Sequence, residues 1–261
     1  MGALDLLSGY GDDSSEDEVP NGRVSLKRLH SDEDINNKKL PVPDLLTRVN
    51  LQSESPVDDP SLHNGRIRTF PHERGNWVTY VYVPYDSTDN TIIDSVMDLL
   101  TTVSHLPFQP VNNFHISLTK TVVLKHHWID SFMQSVQDKL QSIKRFVIVF
   151  GSLTVYCNEE RTRTFIAFQI ISAHDTLMKI IEYLDDCLAD FKLPAFYKDP
   201  SFHMSLASCV GDYENEIKMI LPCLNKTIEE IVMNNLQNSL YNYVNNLECK
   251  CGNKLFTFNL S

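Results

Sequence analysis

Two five-residue stretches, FHISL at 114–118 and FHMSL at 202–206, decide the fold because they repeat one pattern at a distance of 88 residues. Each stretch places a histidine and a serine two residues apart between apolar residues. Successive side chains of a β-strand point to opposite faces of the sheet. The repeat therefore predicts two strands, each with an apolar face toward the core and a His–Ser face away from it.

The polar faces of these strands carry His115 with Ser117 and His203 with Ser205, residues suited to a phosphate site. Two imidazoles with pKa values near about 6.5 can serve as general acid and general base at neutral pH. Serine hydroxyls can hold the phosphoryl oxygens as negative charge develops on them. If the substrate is RNA, the ribose 2′-OH is the nearest nucleophile and its attack forms a 2′,3′-cyclic phosphate. Both histidines have the same local surroundings, so either one can be the base.

Composition narrows the class of protein. Of 261 residues, 42% are hydrophobic and 22% are charged, which is typical of a globular protein with a core. The six cysteines lack zinc-ligand spacing, so we expect a reduced compartment, no metal and no cofactor. The formal net charge is −11, and no long basic stripe of the kind that binds duplexes is present. A protein that acts on an RNA end needs few phosphate contacts, so this charge permits that function.

The chain divides into two parts by composition. Residues 1–65 are polar, acidic and interrupted by proline, which predicts a disordered acidic tail. Two basic pairs in this tail, at 27–28 and 38–39, are typical of a bipartite nuclear-import signal or of scattered solvated charges. Residues 66–261 are predicted to form one two-lobed domain. The sequence contains no apolar run of about 18 residues, the length that would predict a membrane span.

The order of elements predicts an α+β fold. A strand, a helix and then a histidine strand occur twice, so we expect two pseudo-symmetric lobes. Their antiparallel sheets would face each other across a central cleft, with the helices outside. A helical stretch from about 213 to 246, broken near Pro222, and a last strand at 253–260 complete the prediction.

Further motifs make the chain resemble the U6 small nuclear RNA phosphodiesterase family, which belongs to the two-histidine (2H) phosphoesterase superfamily. The resemblance covers residues 66–261 and excludes the acidic tail. The motifs that carry it are RTFPHERGNW (68–77), YVPY (82–85), LKHHWI (124–129), TRTFIAF (162–168), FYKDPSFHMSLASCVGD (196–212) and GNKLF (252–256).

The resemblance implies a nuclear, metal-independent enzyme, expected to be a monomer, that trims 3′-terminal uridines or adenosines from U6 RNA. It implies that His115 and His203 form the acid–base pair and that the two serines hold phosphate. It further implies that a terminal base stacks on Tyr197 and that Ser201 lies in the same binding strip. Members leave either a cyclic phosphate or a 3′-phosphate, and we favour the cyclic product.

Several other residues have two interpretations. Arg161 and Arg163 flank a turn and either contact phosphate or are solvated; we include Arg163 among the candidate substrate-binding residues. Trp77 and the tyrosines of the strand at 77–85 are expected in the core.

Two other functions fit the same residues. One is a cyclic or 2′-5′ phosphodiesterase that acts on small nucleotides. The other is a non-catalytic module that binds RNA ends, although intact histidines and serines in both stretches favour an enzyme.

Overall fold

The computed structural model describes Phe70 and residues 73–85, 91–234 and 240–261. All the helices and strands reported below belong to one unit of the chain, residues 53–261. The predicted acidic tail at 1–65, with its basic pairs, lies outside the described residues. None of the described helices is long and apolar enough to cross a membrane.

Four α-helices, one short 3-10 helix (His126–Trp128) and ten strands make up the described part of the chain. The helices are α1 (Thr91–Val103), α2 (Ile129–Leu140), α3 (His174–Asp190) and α4 (Glu214–Asn234). The strands are β1 (Asn76–Pro84), β2 (Gln109–Pro110), β3 (His115–Ser117), β4 (Val122–Lys125), β5 (Phe146–Cys157), β6 (Arg163–Ile170), β7 (His203–Val210), β8 (Tyr241–Val244), β9 (Asn246–Cys251) and β10 (Lys254–Asn259).

The strands pair in the order β10-β9-β1-β3-β7-β6-β5-β8, with β2 beside β7 and β4 beside β1. Every pairing is antiparallel, as the sequence predicted. The repeated order is present as β1–α1–β3 and β6–α3–β7. The arrangement differs from the expected pair of separate sheets, because the two histidine strands β3 and β7 are neighbours in one continuous sheet.

Burial of apolar side chains at helical spacing explains why the helices form on this sheet. In α1, Ile93, Val96 and Leu100 are at most 6% exposed, and they recur every three or four residues as one helix face requires. In α3, Leu177 and Leu184 are fully buried. The buried side chains of helices and strands belong to one hydrophobic cluster, so the core covers one face of the sheet.

The prediction for residues 213–246 was wrong in two respects. The helix α4 continues through Pro222, and residues 241–251 form β8 and β9. An internal proline costs about 3 kcal/mol, whereas each of the buried Ile217, Leu224 and Ile228 contributes about 1.5–3 kcal/mol. Core burial therefore outweighs the proline. The β8 strand depends on long-range pairing with β5, which local helical spacing does not reveal.

Candidate active site

The two histidine strands bring four polar side chains onto one face of the sheet. Ile116 of β3 pairs with Met204 of β7, and an antiparallel register then places His115 opposite Ser205. By the same register, Ser117 lies opposite His203. Directly opposite Cβ atoms are typically about 4.5–5.5 Å apart, and diagonal neighbours about 7–8 Å apart. The site is therefore a quartet in which each histidine faces a serine and the two histidines lie on a diagonal.

The alternation of faces predicted for these strands is confirmed. Ile116 is 0% exposed and Met204 is 1% exposed. The histidines that immediately precede them, His115 and His203, are half-buried. Ser117 is exposed and Ser205 is half-buried. The apolar residues thus anchor both strands in the core and leave the polar quartet on the other face.

Each imidazole is held by a backbone carbonyl two residues earlier in the chain. His115 Nδ1 lies 2.8 Å from the Asn113 carbonyl oxygen, and His203 Nδ1 lies 2.7 Å from the Ser201 carbonyl oxygen. A carbonyl oxygen only accepts hydrogen bonds, so Nδ1 carries the proton in both rings. This fixes one tautomer and leaves Nε2 of each histidine to exchange a proton with substrate.

Burial lowers the pKa of both imidazoles below the ordinary value of 6.5. The carbonyl hydrogen bonds of the rings act in the opposite direction, and the positive charge of His115 lowers the pKa of His203 further. Both rings are therefore mainly neutral at neutral pH in the absence of substrate. A bound phosphate has the opposite influence, because its negative charge stabilises an imidazolium.

Three tyrosines contact the histidines, and sequence reasoning assigned none of them to the site. The Tyr156 ring stacks on His203 with centroids 3.9 Å apart and an interplanar angle of 19°. Tyr80 and Tyr82 lie 5.9 and 5.1 Å from the His115 ring. The expectation of a core position was therefore wrong for Tyr80 and Tyr82, whereas Trp77 and Tyr85 do pack against the core. Their strand instead buries Val81 and its apolar neighbours, which the alternation of β1 could have revealed.

Tyr197 and Ser201, the remaining residues implied by the resemblance, lie in the segment that leads into β7. Ser201 Oγ is 2.9 Å from the Tyr156 hydroxyl, so Ser201 is linked to His203 through both its side chain and its carbonyl. Tyr197 is 45% exposed. Lys120, which sequence reasoning missed, places Nζ 4.2 Å from the centre of the Tyr197 ring. An exposed aromatic ring beside a cation suits the binding of a nucleotide.

Arg163 lies in an open cavity of about 570 Å³ that His115 also lines. Its Nη2 donates a hydrogen bond to Ser208 Oγ at 2.7 Å, and its guanidinium lies 4.8 Å from the Phe165 ring. The structure thus brings the candidate arginine and one candidate histidine to the same cavity, although they are 48 residues apart in the chain.

The neighbouring Arg161 belongs to an ion-pair group. Within the described ranges, ligand atoms of Cys157, Asp212 and Glu214 lie within 4.8 Å of one another. Arg161 donates hydrogen bonds to both carboxylates, with Nη2 2.7 Å from Glu214 Oε2 and 3.1 Å from Asp212 Oδ1. Arg161 lowers the pKa of Asp212, and Lys218 together with Arg161 lowers that of Glu214. Arg161 and Lys218 together balance the two carboxylates, so we assign Arg161 a structural role.

Comparison with known proteins gives the family. The model of the HVSL family, described as an uncharacterised conserved protein, matches residues 40–259. A protein of Bos taurus called U6 snRNA phosphodiesterase 1 is 38% identical over 97% of this chain and 98% of its own length. The chain belongs to the U6 small nuclear RNA phosphodiesterase family. The Homo sapiens member of this family is 36% identical over the same shares, and the Drosophila melanogaster member is 41% identical over 79% of each chain.

A solved structure has a similar fold. The structure of Kluyveromyces marxianus Usb1 aligns with a TM-score of 0.51 and 17% sequence identity, covering 73% of this chain and all of that one. This likeness supports the overall α+β fold described above.

Proposed function

We propose that this chain is a 3′-to-5′ exoribonuclease that trims the oligo-uridine or adenosine end of U6 small nuclear RNA in the nucleus. The observation that carries the proposal is the His–Ser quartet, in which both histidines present Nε2 and stand diagonally across two adjacent strands. The names of the relatives, U6 snRNA phosphodiesterase 1, support this choice of substrate.

The proposed reaction is a transesterification at the last phosphodiester bond. Nε2 of one histidine takes the proton from the 2′-OH of the penultimate ribose, and the 2′ oxygen then forms a bond to phosphorus. The bond from phosphorus to the 5′ oxygen of the terminal nucleotide breaks, and the second histidine donates a proton to that oxygen. The RNA is left one nucleotide shorter with a 2′,3′-cyclic phosphate. Proton exchange with water restores both histidines.

The other side chains of the quartet stabilise charge in this reaction. Ser117 and Ser205 can donate hydrogen bonds to the non-bridging phosphoryl oxygens, where negative charge increases in the transition state. Acid, base and phosphate ligands are then all supplied by the protein, so the proposed reaction requires no metal. The Tyr156 ring stacks on His203 and so helps to fix the plane of its imidazole.

Tyr197 is the proposed platform for the base of the terminal nucleotide. Stacking on an aromatic ring contributes about 1–3 kcal/mol per base and accepts different bases. This tolerance agrees with trimming of either uridine or adenosine. Lys120 lies over the Tyr197 ring and forms an ion pair with Glu159 at 3.2 Å, which holds its ammonium group beside the proposed platform.

Mass spectrometry of the products formed from a short RNA with a 3′ oligo-uridine end tests the proposal. We expect a ladder of RNAs that shorten from the 3′ end and terminate in a cyclic phosphate. A product heavier by one water would mean that the enzyme also opens the ring to a 3′-phosphate. Products that end in a 3′-hydroxyl, or shortening from the 5′ end, would contradict the proposed chemistry.

Mononucleotide cyclic phosphates should be assayed in parallel with the oligo-uridine RNA. Faster turnover of these small substrates would favour a cyclic phosphodiesterase instead. Binding of oligo-uridine without any cleavage would favour a non-catalytic module. Neither of these two results is expected of a 3′-to-5′ exoribonuclease.

The lowered histidine pKa values predict an acidic optimum for the free enzyme. The pH profile of kcat/KM reports the acid and base of the free enzyme, and burial lowers the pKa of both His115 and His203 below 6.5. We expect a bell-shaped profile with its maximum below pH 6.5, because at higher pH the histidine that acts as acid has lost its proton. Bound phosphate raises the pKa of that histidine, so the profile of kcat should extend to higher pH.

The exposed His105 provides a control for this profile. The His105→Ala variant should show the same dependence of kcat/KM on pH as the unmodified protein. A decline of kcat/KM that begins only well above pH 7 would contradict the effect of burial on the histidines.

A further inference from the structure

The cavity beside His115 has features of a second nucleotide site. We propose that it binds the penultimate nucleotide of the RNA, the one that supplies the attacking 2′-OH. The proposal rests on the proposed function, because it concerns the part of the substrate on the 5′ side of the cleaved phosphate. The cavity volume of about 570 Å³ falls within the range of small-ligand sites, about 300–1,000 Å³.

The lining of the cavity matches the chemistry of a nucleotide. Gln109, Asn112 and Asn113 contribute amide groups, which both donate and accept hydrogen bonds as base edges do. Tyr80 contributes an aromatic ring, and Arg163 a cation suited to phosphate. None of the described residues that line the cavity is acidic, even though the whole chain has a formal net charge of −11.

A bulge in β7 builds one wall of the cavity. Phe165 and Ala167 of β6 are two residues apart, but their partners Ser208 and Ser205 in β7 are three apart. The extra residue keeps Ser208 on the same face as Ser205 of the quartet. Ser208 then accepts the hydrogen bond from Arg163, which fixes the guanidinium against the cavity. Bulges often redirect a side chain next to a functional site, and this one does so for Ser208.

The opposite wall of the cavity is connected directly to the catalytic His115. Asn112 and Asn113 connect β2 to β3 and immediately precede the His115 strand. Asn113 lines the cavity, and its carbonyl accepts the hydrogen bond that orients the His115 ring. A nucleotide held by these amides would place its ribose beside the quartet.

The terminal nucleotide has a separate proposed binding site outside this cavity. The terminal base is proposed to stack on Tyr197, and Tyr197 is not among the residues that line the cavity. Tyr156 and Ser201, which contact His203, do not line it either. The two histidines therefore have different surroundings, an aromatic strip near His203 and the cavity near His115. A dinucleotide whose phosphate lies at the quartet would extend into both.

The base part of the proposal is tested with three-nucleotide RNAs that end in uridine and carry either uracil or no base at the penultimate ribose. Both substrates retain the attacking 2′-OH. We expect loss of the base to lower kcat/KM by roughly tenfold, the effect of about one hydrogen bond. The Asn112→Ala variant should cleave the two substrates at nearly equal rates. A third RNA lacks the base of the terminal nucleotide instead. The Tyr197→Ala variant should still cleave the RNA without a penultimate base more slowly, but it should no longer distinguish the RNA without a terminal base from the intact RNA. The His105→Ala variant should show both differences.

The phosphate part is tested with uridylyl-uridine, with and without a 5′-phosphate. The unmodified protein should cleave the phosphorylated dinucleotide faster, and Arg163→Gln should remove most of that advantage. Equal rates on the abasic and intact RNAs, with trimming otherwise normal, would overturn the inference and leave the proposed function standing. An unchanged 5′-phosphate effect in Arg163→Gln would overturn the assignment of that arginine. Failure to cleave any of these RNAs would instead contradict the proposed function itself.

Discussion

Replacement of either catalytic histidine by alanine is expected to lower kcat/KM for oligo-uridine RNA by about 10²–10⁴-fold or more. His115→Ala and His203→Ala each remove one of the two groups that move protons in the proposed reaction. Because acid and base act in the same step, the effects should not add. The double variant should be only slightly slower than the slower single variant. Single-turnover rates measured with a short oligo-uridine RNA check both statements.

The matched control is His105→Ala, which removes an exposed imidazole from the segment that precedes the cavity. Its rate should equal that of the unmodified protein. Thermal unfolding must show that the variants at the quartet are folded, since each imidazole also bonds to a backbone carbonyl. A folded His115→Ala or His203→Ala protein with a normal rate would contradict the proposed acid–base pair.

Much of the secondary structure could be predicted because its signals are local. The apolar stretch at 163–170 predicts a strand, which agrees with β6, and the helical spacing of leucines and isoleucines at 174–191 predicts a helix, which agrees with α3 apart from its last residue. In α3 one buried apolar stripe runs through Leu177, Ile180, Ile181 and Leu184, whereas β6 is a short continuous apolar run from Phe165 to Phe168. The short β2 strand, Gln109–Pro110, was missed because two residues carry no period.

The quartet could be predicted only in part. The period of two determines that His115 shares a face with Ser117, and that His203 shares a face with Ser205. It does not determine that Ile116 pairs with Met204, which is the contact that brings the two strands together. That pairing depends on packing of the whole core, so the sequence suggested two separate sheets instead.

Residues that reach the site from other strands were the least predictable. Tyr156 stacks on His203 from β5, yet its stretch of sequence is an ordinary apolar strand. For Tyr80 the signal was present but misread. Valines at 81 and 83 compete with the tyrosines for the core, and the structure buries the valines to 1% and 0% exposure. A β-branched residue fits the inner face, whereas a tyrosine hydroxyl favours the polar side.

The cavity could not be predicted from local patterns, because a register shift creates it. Ser208 would lie on the opposite face from Ser205 in a regular strand, since the two are three residues apart. The bulge opposite Ile166 and Ala167 changes this. A β-bulge depends on the partner strand, so the sequence of β7 by itself gives no sign that Ser208 will support Arg163.

A single 2′-deoxyribose at the penultimate position is expected to abolish removal of the terminal nucleotide. The proposed nucleophile is the 2′ oxygen of that ribose, and neither histidine has anything to deprotonate when it is absent. Moving the deoxyribose one position upstream should permit removal of one nucleotide and then stop the enzyme. A deoxyribose at the terminal position should have little effect, because its 2′-OH does not attack. Gel electrophoresis of end-labelled RNAs reads each stopping point directly.

The stopping point distinguishes this mechanism from hydrolysis by an activated water. A water nucleophile would cleave beside the deoxyribose at nearly the normal rate and would leave no cyclic phosphate. The same substrates in EDTA should give the same stops and rates, because His115 and His203 supply the acid and the base of the proposed reaction. Cleavage that passes the deoxyribose, or a rate that disappears with EDTA and returns with a divalent ion, would contradict 2′-OH transesterification at the quartet. The first result would require a nucleophile other than the 2′ oxygen, and the second would require a divalent ion in the reaction.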